Sequence, residues 1–218
     1  MSKILIMKFG GAALFSVNKI LQAASIIQKR SIQNPRIVVV VSAMGKTTDK
    51  LIALGHKISE RPLKREQDML ISAGERISMA LLAMALKKYS IEAISFTGSQ
   101  SGIITSSDHC EAKIIHVKPN RIITELKNNK IVIVAGFQGV SENKEITTLG
   151  RGGSDTTAVA LAIALKAEKV EFYKDVSGIY EKDPKMFSVS KVISEMDYDQ
   201  AIEIIRKGAC ILHERSVR

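Results

Sequence analysis

Twice near its start the chain repeats one order of events: a short β-branched run, a glycine-bearing turn, then apolar residues at helical spacing. Residues 3–9 form the first run and end at Gly10-Gly11, after which Val17, Ile20, Leu21, Ala24 and Ile27 recur on one helical face. Residues 36–41 form the second, emptying into Ser42-Ala43-Met44-Gly45 before a helical stretch over 47–59. Strands alternating with helices argue for mostly parallel pairing, and parallel sheets need both faces covered. The expectation is an α/β/α three-layer sandwich on an open, mainly parallel sheet, with ligands at the carboxyl ends of the strands.

The rest of the chain extends the pattern. A long helix is expected over 64–88, with Leu70, Ile77, Leu81 and Met84 on one face and Glu66, Asp68, Glu75 and Arg76 mostly elsewhere. Strands are expected near 91–96, 113–118, 131–135 and 170–173, with helices near 119–128, up to Lys166 and over 198–207. Ser141 to Lys144 reads as a turn, and Ser154 or Asp155 as the cap of the alanine- and leucine-rich helix. At 218 residues a single domain spanning 1–218 is expected.

Composition narrows the function classes. Hydrophobic content of 45% with 25% charged residues is ordinary for a soluble protein, no segment reads as a membrane span, and the N-terminal apolar run is too short for a signal peptide. A cytoplasmic location is expected. Cys110 and Cys210 have no Cys-x-x-Cys companion, so neither a disulfide framework nor a zinc site is supported. His56, His109, His116 and His213 fall in no metal-ligand spacing and read as structural or surface residues; no protein metal site is expected. The net charge of +10 comes from scattered lysines and arginines without a basic tail or aromatic ladder, which argues against nucleic acid and for solvated faces plus an anion site.

Familiar nucleotide motifs are missing. Gly45-Lys46-Thr47 ends like a P-loop, but Val40 stands where that motif needs its first glycine. Two other turns can hold phosphate. Lys8-Phe9-Gly10-Gly11 places a cation at a strand end before two residues whose amides can approach a polyphosphate. Leu149-Gly150-Arg151-Gly152-Gly153-Ser154-Asp155-Thr156-Thr157 packs an arginine, three glycines, a hydroxyl and a carboxylate into the mouth of a helix, where anions bind.

These two segments resemble the aspartokinases of the amino acid kinase family. The likeness continues in order through Ser42-Ala43-Met44-Gly45-Lys46-Thr47-Thr48-Asp49, Ser72-Ala73-Gly74-Glu75-Arg76, Thr97-Gly98-Ser99-Gln100-Ser101-Gly102, Gly136-Phe137-Gln138-Gly139 and Lys174-Asp175-Val176-Ser177-Gly178-Ile179-Tyr180 with Asp183-Pro184-Lys185. The resemblance implies ATP-dependent phosphorylation of the L-aspartate β-carboxylate, the first step toward lysine, threonine and methionine. It implies catalytic roles for Lys8 and Asp155, the latter positioning the former. Lys8, Gly10, Gly11, Ser42, Lys174, Asp175, Tyr180 and Lys185 match ATP-binding positions, and Thr47, Thr48, Glu75, Arg151, Gly152, Gly153 and Ser154 match the substrate side. Mg²⁺ is expected to arrive held mainly by phosphates and water. Family members commonly assemble as homo-oligomers.

Residue chemistry suits that reaction. A free aspartate side chain, with a pKa of about 3.9, is already an anion near neutrality and needs no general base. What it needs is relief from charge repulsion and a fixed cation and anion for its own ionic groups, as Arg151 and Glu75 would provide.

The chain departs from the family at Ala12-Ala13, where Thr-Ser is usual, at Cys210, where a second lysine near the nucleotide is usual, and at Glu214, where proline is usual; Lys207 is a candidate substitute cation. The regulatory domains of typical aspartokinases fall outside these residues. The departures keep two alternatives in view: another enzyme of the amino acid kinase family, or a catalytically weak nucleotide-binding domain acting with a partner chain.

Overall fold

The computed structural model describes residues 3–176, 178–180 and 192–206. Its main sheet has five parallel strands in the order β3-β6-β2-β1-β9: β1 (Leu5–Phe9), β2 (Ile37–Val41), β3 (Ala93–Phe96), β6 (Ile131–Ala135) and β9 (Lys169–Tyr173). β1, β2 and β6 are buried at every position, as central parallel strands covered on both faces must be.

Side-chain alternation divides the core in two. Leu5, Met7 and Phe9 of β1, with Ile37, Val39 and Val41 of β2, pack against α1 (Val17–Gln33) and α4 (Ala73–Lys87). Ile6 of β1, with Val38 and Val40 of β2, meets α5 (Asn120–Lys127) and α6 (Gly153–Leu165) on the other face. The expected three layers are therefore present. By the same alternation Lys8 belongs to the α6 face, in line with Ile6.

A second, four-stranded sheet was not expected from the sequence. Its order is β5-β4-β7-β8, built from β4 (Ile103–Thr105), β5 (Ile114–Val117), β7 (Gln138–Ser141) and β8 (Ile146–Thr148). β4 and β7 run parallel, and β5 and β8 pair antiparallel at the edges. Two of the missed strands have only three residues, too few to show a period. The third, β7, is polar yet wholly buried. Side-chain hydrogen bonds make that burial tolerable: Gln138 Nε2 donates to the Ser72 carbonyl at 2.9 Å, and Ser141 Oγ accepts from Glu145 N at 3.2 Å.

The helix expected over 64–88 is two helices, α3 (Lys64–Ile71) and α4, which follow α2 (Thr47–Ile58). Ser72 separates them, its carbonyl occupied by Gln138 and its hydroxyl donating to Met69 O at 3.1 Å. Asp68 and Glu75, expected away from the apolar face, are in fact buried at 0% and 3% exposure. The expectation that nothing here is apolar enough for a membrane span is also corrected. Residues 64–87 include an 18-residue window of mean hydropathy 1.5, but 44% of that window is packed inside the fold and the break at Ser72 lies within the 24-residue run. A last helix, α7 (Tyr198–Arg206), lies within the expected 198–207, and Lys207 is outside the described residues.

Candidate active site

Four neighbouring strands of the main sheet, three of them leading into predicted site residues, end on one side of it. β1 ends into Gly10-Gly11, β2 into Ser42-Ala43, β6 into Gly136-Phe137 and β9 into Lys174-Asp175. Backbone bonds hold these turns together: Gly10 N donates to Tyr173 O at 2.9 Å, Ser42 N to Phe9 O at 3.1 Å and Gly136 N to Val41 O at 3.0 Å. Phe9 stacks on Tyr173 with ring centroids 4.6 Å apart, which ties the edge strand to β1.

At the centre is a buried charge cluster. Lys8 Nζ lies 2.6 Å from Asp155 Oδ1, and Lys174 Nζ donates to Asp155 Oδ2 at 3.0 Å. Lys8 and Asp155 are 4% and 5% exposed, so this contact is shielded from solvent. Burial holds the Lys8 pKa below the ordinary lysine value; Asp155 opposes that shift, and the positive charge of Lys174 adds to it. Each Asp155 oxygen therefore faces one cation, Oδ1 the Lys8 ammonium and Oδ2 that of Lys174.

The α6 mouth explains why Asp155 points this way. Gly152, at φ +73°, is the residue before the helix, and neither Ser154 nor Asp155 caps it as expected; both lie in its first turn. The Asp155 carboxylate is turned to the two lysines instead of the helix amides. Gly150 also has φ +73°, and its carbonyl accepts from Gly153 N at 3.1 Å, so this tight turn needs residues that tolerate left-handed backbone. Ser154 presses against the end of β6, where a Cβ added to Gly136 would come within 2.8 Å of the Ser154 Cβ.

Gly10 sits directly beside both cations: a Cβ there would lie 3.6 Å from Lys8 Nζ and 3.9 Å from Lys174 Cγ. Gly11 is pinned against the next turn, with Gly45 N donating to Gly11 O at 2.9 Å and space for a Cβ denied by Ala43 O at 2.9 Å. A cavity of about 660 Å³ opens beside this turn, lined by Ala12, Phe15, Met44, Thr47 and three lysines, Lys19, Lys46 and Lys50, among others.

Glu75 reaches the site from the first turn of α4. Its Oε1 accepts from Ala43 N at 3.1 Å, while the buried Oε2 has no hydrogen-bond partner among the described residues. Burial pushes its pKa up to about 7, against the pull of its backbone hydrogen bonds and of Lys8. Gly74 makes the approach possible, since a Cβ there would fall 2.8 Å from the Ala43 Cβ and 3.6 Å from Thr47 Cγ2. Thr47 turns its hydroxyl to Met44 O at 2.6 Å, and Thr48 is half-buried next to it.

The structure thus brings together Lys8, Gly10, Gly11, Ser42, Lys174 and Asp155, and joins Thr47 and Glu75 to them through Ala43. Gly152, Gly153 and Ser154 form the helix mouth, and Arg151 is exposed beside it with no ion pair or hydrogen bond among the described residues. Asp175 is exposed and Tyr180 half-buried, the latter bridged to Val192. Lys185, Cys210, His213 and Glu214 lie outside the described residues. Sequence reasoning missed the double engagement of Asp155 and the buried state of Glu75; a carboxylate next to two small residues, Ala73-Gly74, was the available signal for close packing. No group of three His, Cys, Asp or Glu residues suited to a metal occurs among the described residues.

Relatives sharpen this picture. The amino acid kinase family profile matches residues 3–218. An aspartokinase of Geobacillus stearothermophilus is 50% identical over 214 residues, which is 98% of this chain and 53% of that protein. The chain spans about half the length of the curated relatives it matches. Among solved structures, an aspartate kinase from Synechocystis superposes with a TM-score of 0.85 at 43% identity, over 98% of this chain and 35% of that one. E. coli aspartokinase III in complex with aspartate and ADP superposes with a TM-score of 0.84 at 26% identity, over 99% of this chain and 59% of that one. A parallel sheet with glycine turns and a lysine–aspartate pair at its carboxyl end, matched over nearly all of its length by the family profile, makes this chain a member of the amino acid kinase family.

Proposed function

We propose that the chain transfers the γ-phosphoryl group of ATP to the β-carboxylate of L-aspartate, giving 4-phospho-L-aspartate for lysine, threonine and methionine synthesis. The observation that carries this reading is the buried Lys8–Asp155–Lys174 cluster beside Gly10. Two cations share one carboxylate, so the cluster has net positive charge where a polyphosphate would lie. The E. coli relative with aspartate and ADP bound supports the choice of ligands.

Lys8 and Lys174 draw the phosphates in and offset charge that builds up as the γ-phosphoryl group moves. Asp155 keeps the Lys8 ammonium protonated against its burial and fixes its direction. The Gly10 and Gly11 backbone and Ser42 line the phosphate turn, while Asp175, Tyr180 and Lys185 belong to the nucleotide side. On the acceptor side, Arg151 takes a carboxylate of aspartate, and Glu75 Oε2, lacking a partner, takes its ammonium. Thr47, Thr48, Gly152, Gly153 and Ser154 complete that side. Both Asp155 oxygens are engaged by lysines, so the residues fit Mg²⁺ brought on the nucleotide rather than a protein-built cage; such an ion would supply further charge neutralisation of the phosphates.

Coupled ADP release with aspartate, N-acetylglutamate, glutamate, carbamate and UMP tests the reading. Aspartate should support the fastest turnover; a faster alternative acceptor would replace it. Calorimetric ATP binding with no ADP formed from any acceptor would favour a weak nucleotide-binding domain, the reading that Ala12 and Ala13 in the phosphate turn would support.

A further inference from the structure

Outside the charge cluster, one carboxylate is more deeply buried than any group assigned above. Asp68, on α3, is 0% exposed and gathers contacts from two separate chain segments. Thr148 Oγ1 donates to its Oδ1 at 2.5 Å, the Cys110 amide approaches Oδ1 and Oδ2 at 3.1 and 3.2 Å, and His109 Nδ1 lies 2.7 Å from Oδ2. A carboxylate without solvent is costly unless its oxygens are satisfied, and here both are.

The location of the partners gives the cluster a meaning. Asp68 lies about two helical turns ahead of Glu75, with the break at Ser72 between them, and Thr148 ends β8 just before the turn that carries Arg151. The break at Ser72 is itself tied to β7 by Gln138. Beyond Thr148, Leu149 N is held by Phe137 O at 2.9 Å, so little slack separates the tie from the α6 mouth. Sliding of α3 against β8 would therefore change the spacing between Glu75 and Arg151.

We infer that Asp68 is a positioning residue: by tying α3 to Thr148 of β8 and to the loop at Cys110, it sets the separation of the two acceptor-side residues Glu75 and Arg151. This rests on the acceptor-side roles proposed above. Packing alone would resist separation of α3 from β8 but not a small slide, whereas directed hydrogen bonds to a fixed carboxylate resist both.

The test uses the purified full chain with Thr148→Val, Asp68→Asn and Asp68→Ala, the valine variant serving if Asp68→Ala fails to fold. Amide hydrogen exchange without substrate should quicken about tenfold at 73–77 and 149–153 in Thr148→Val, with β1 unchanged. The aspartate KM should rise about tenfold while the ATP KM stays within about twofold, and Asp68→Asn, which keeps an acceptor oxygen, should fall between wild type and Asp68→Ala. Unchanged exchange at both segments, equal loosening of β1, or parallel shifts in both KM values would overturn the assignment. The exchange result stands whichever acceptor the wild-type chain uses, so failure of the aspartate reading is seen separately, in the acceptor panel.

Discussion

Lys8 and Asp155 are separated in the sequence by successive βα repeats and the whole second sheet, yet their charged atoms stand 2.6 Å apart between β1 and the first turn of α6. The strand's alternation aims Lys8 at the α6 face, and the glycine turn before α6 lets Asp155 come down onto it. Lys174, following β9, closes the other carboxylate oxygen. Charge placement and fold are here the same fact.

Lys8→Ala should reduce turnover by about 10²–10³-fold, the range for loss of one preorganised charge-stabilising group. Asp155 retains Lys174, so cooperative unfolding by circular dichroism should persist. ADP release within about threefold of wild type would remove Lys8 from the reaction.

Arg151 is exposed and makes no contact among the described residues that its loss would break. Arg151→Ala should therefore leave stability within about 0.5 kcal/mol and raise the aspartate KM about 10–100-fold. Arg151→Lys should recover only part of this, because a lysine lacks the paired donors of a guanidinium. Steady-state kinetics in both substrates is the measurement.

Glu75 makes binding and stability depend on pH. Its folded-state pKa of about 7 lies above its ordinary 4.5, so the folded chain holds the proton more tightly and stability falls as pH rises from about 4.5 through 7. Glu75→Gln should flatten that part of a urea-denaturation pH profile. A bound ammonium at Oε2 would favour the carboxylate, so acceptor binding at pH 7 should release up to about half a proton, read from calorimetric heats in buffers of different ionisation enthalpy.

Glu171, on the edge strand β9, behaves oppositely. Burial would raise its pKa, but Arg30, Lys169 and the Tyr173 hydroxyl outweigh burial and hold it at about 2. Its contribution is present above the unfolded value of about 4.5 and is lost as pH falls through about 2. Glu171→Gln should cost about 1 kcal/mol at pH 7, discounted for partial exposure, and less at pH 2, by thermal melts.

The main sheet and the two glycine turns were legible because each rests on local signals: β-branched runs, glycine pairs and helical spacing. The resemblance to aspartokinases pointed to Glu75, which no local rule singles out, whereas Arg151 already stood out in its glycine-rich turn at a helix mouth. What escaped was set by partners distant in sequence. Gln138 breaks a helix by taking the carbonyl of Ser72, and Asp68 is buried because Thr148, Cys110 and His109 meet it there. Neither contact has a period or a motif.

Where the main sheet gives way to the second, Gly98 and Gln138 touch so closely that a Cβ at Gly98 would stand 1.9 Å from the Gln138 carbonyl oxygen. There the two sheets meet backbone against backbone, so any residue larger than glycine at position 98 would have to push them apart.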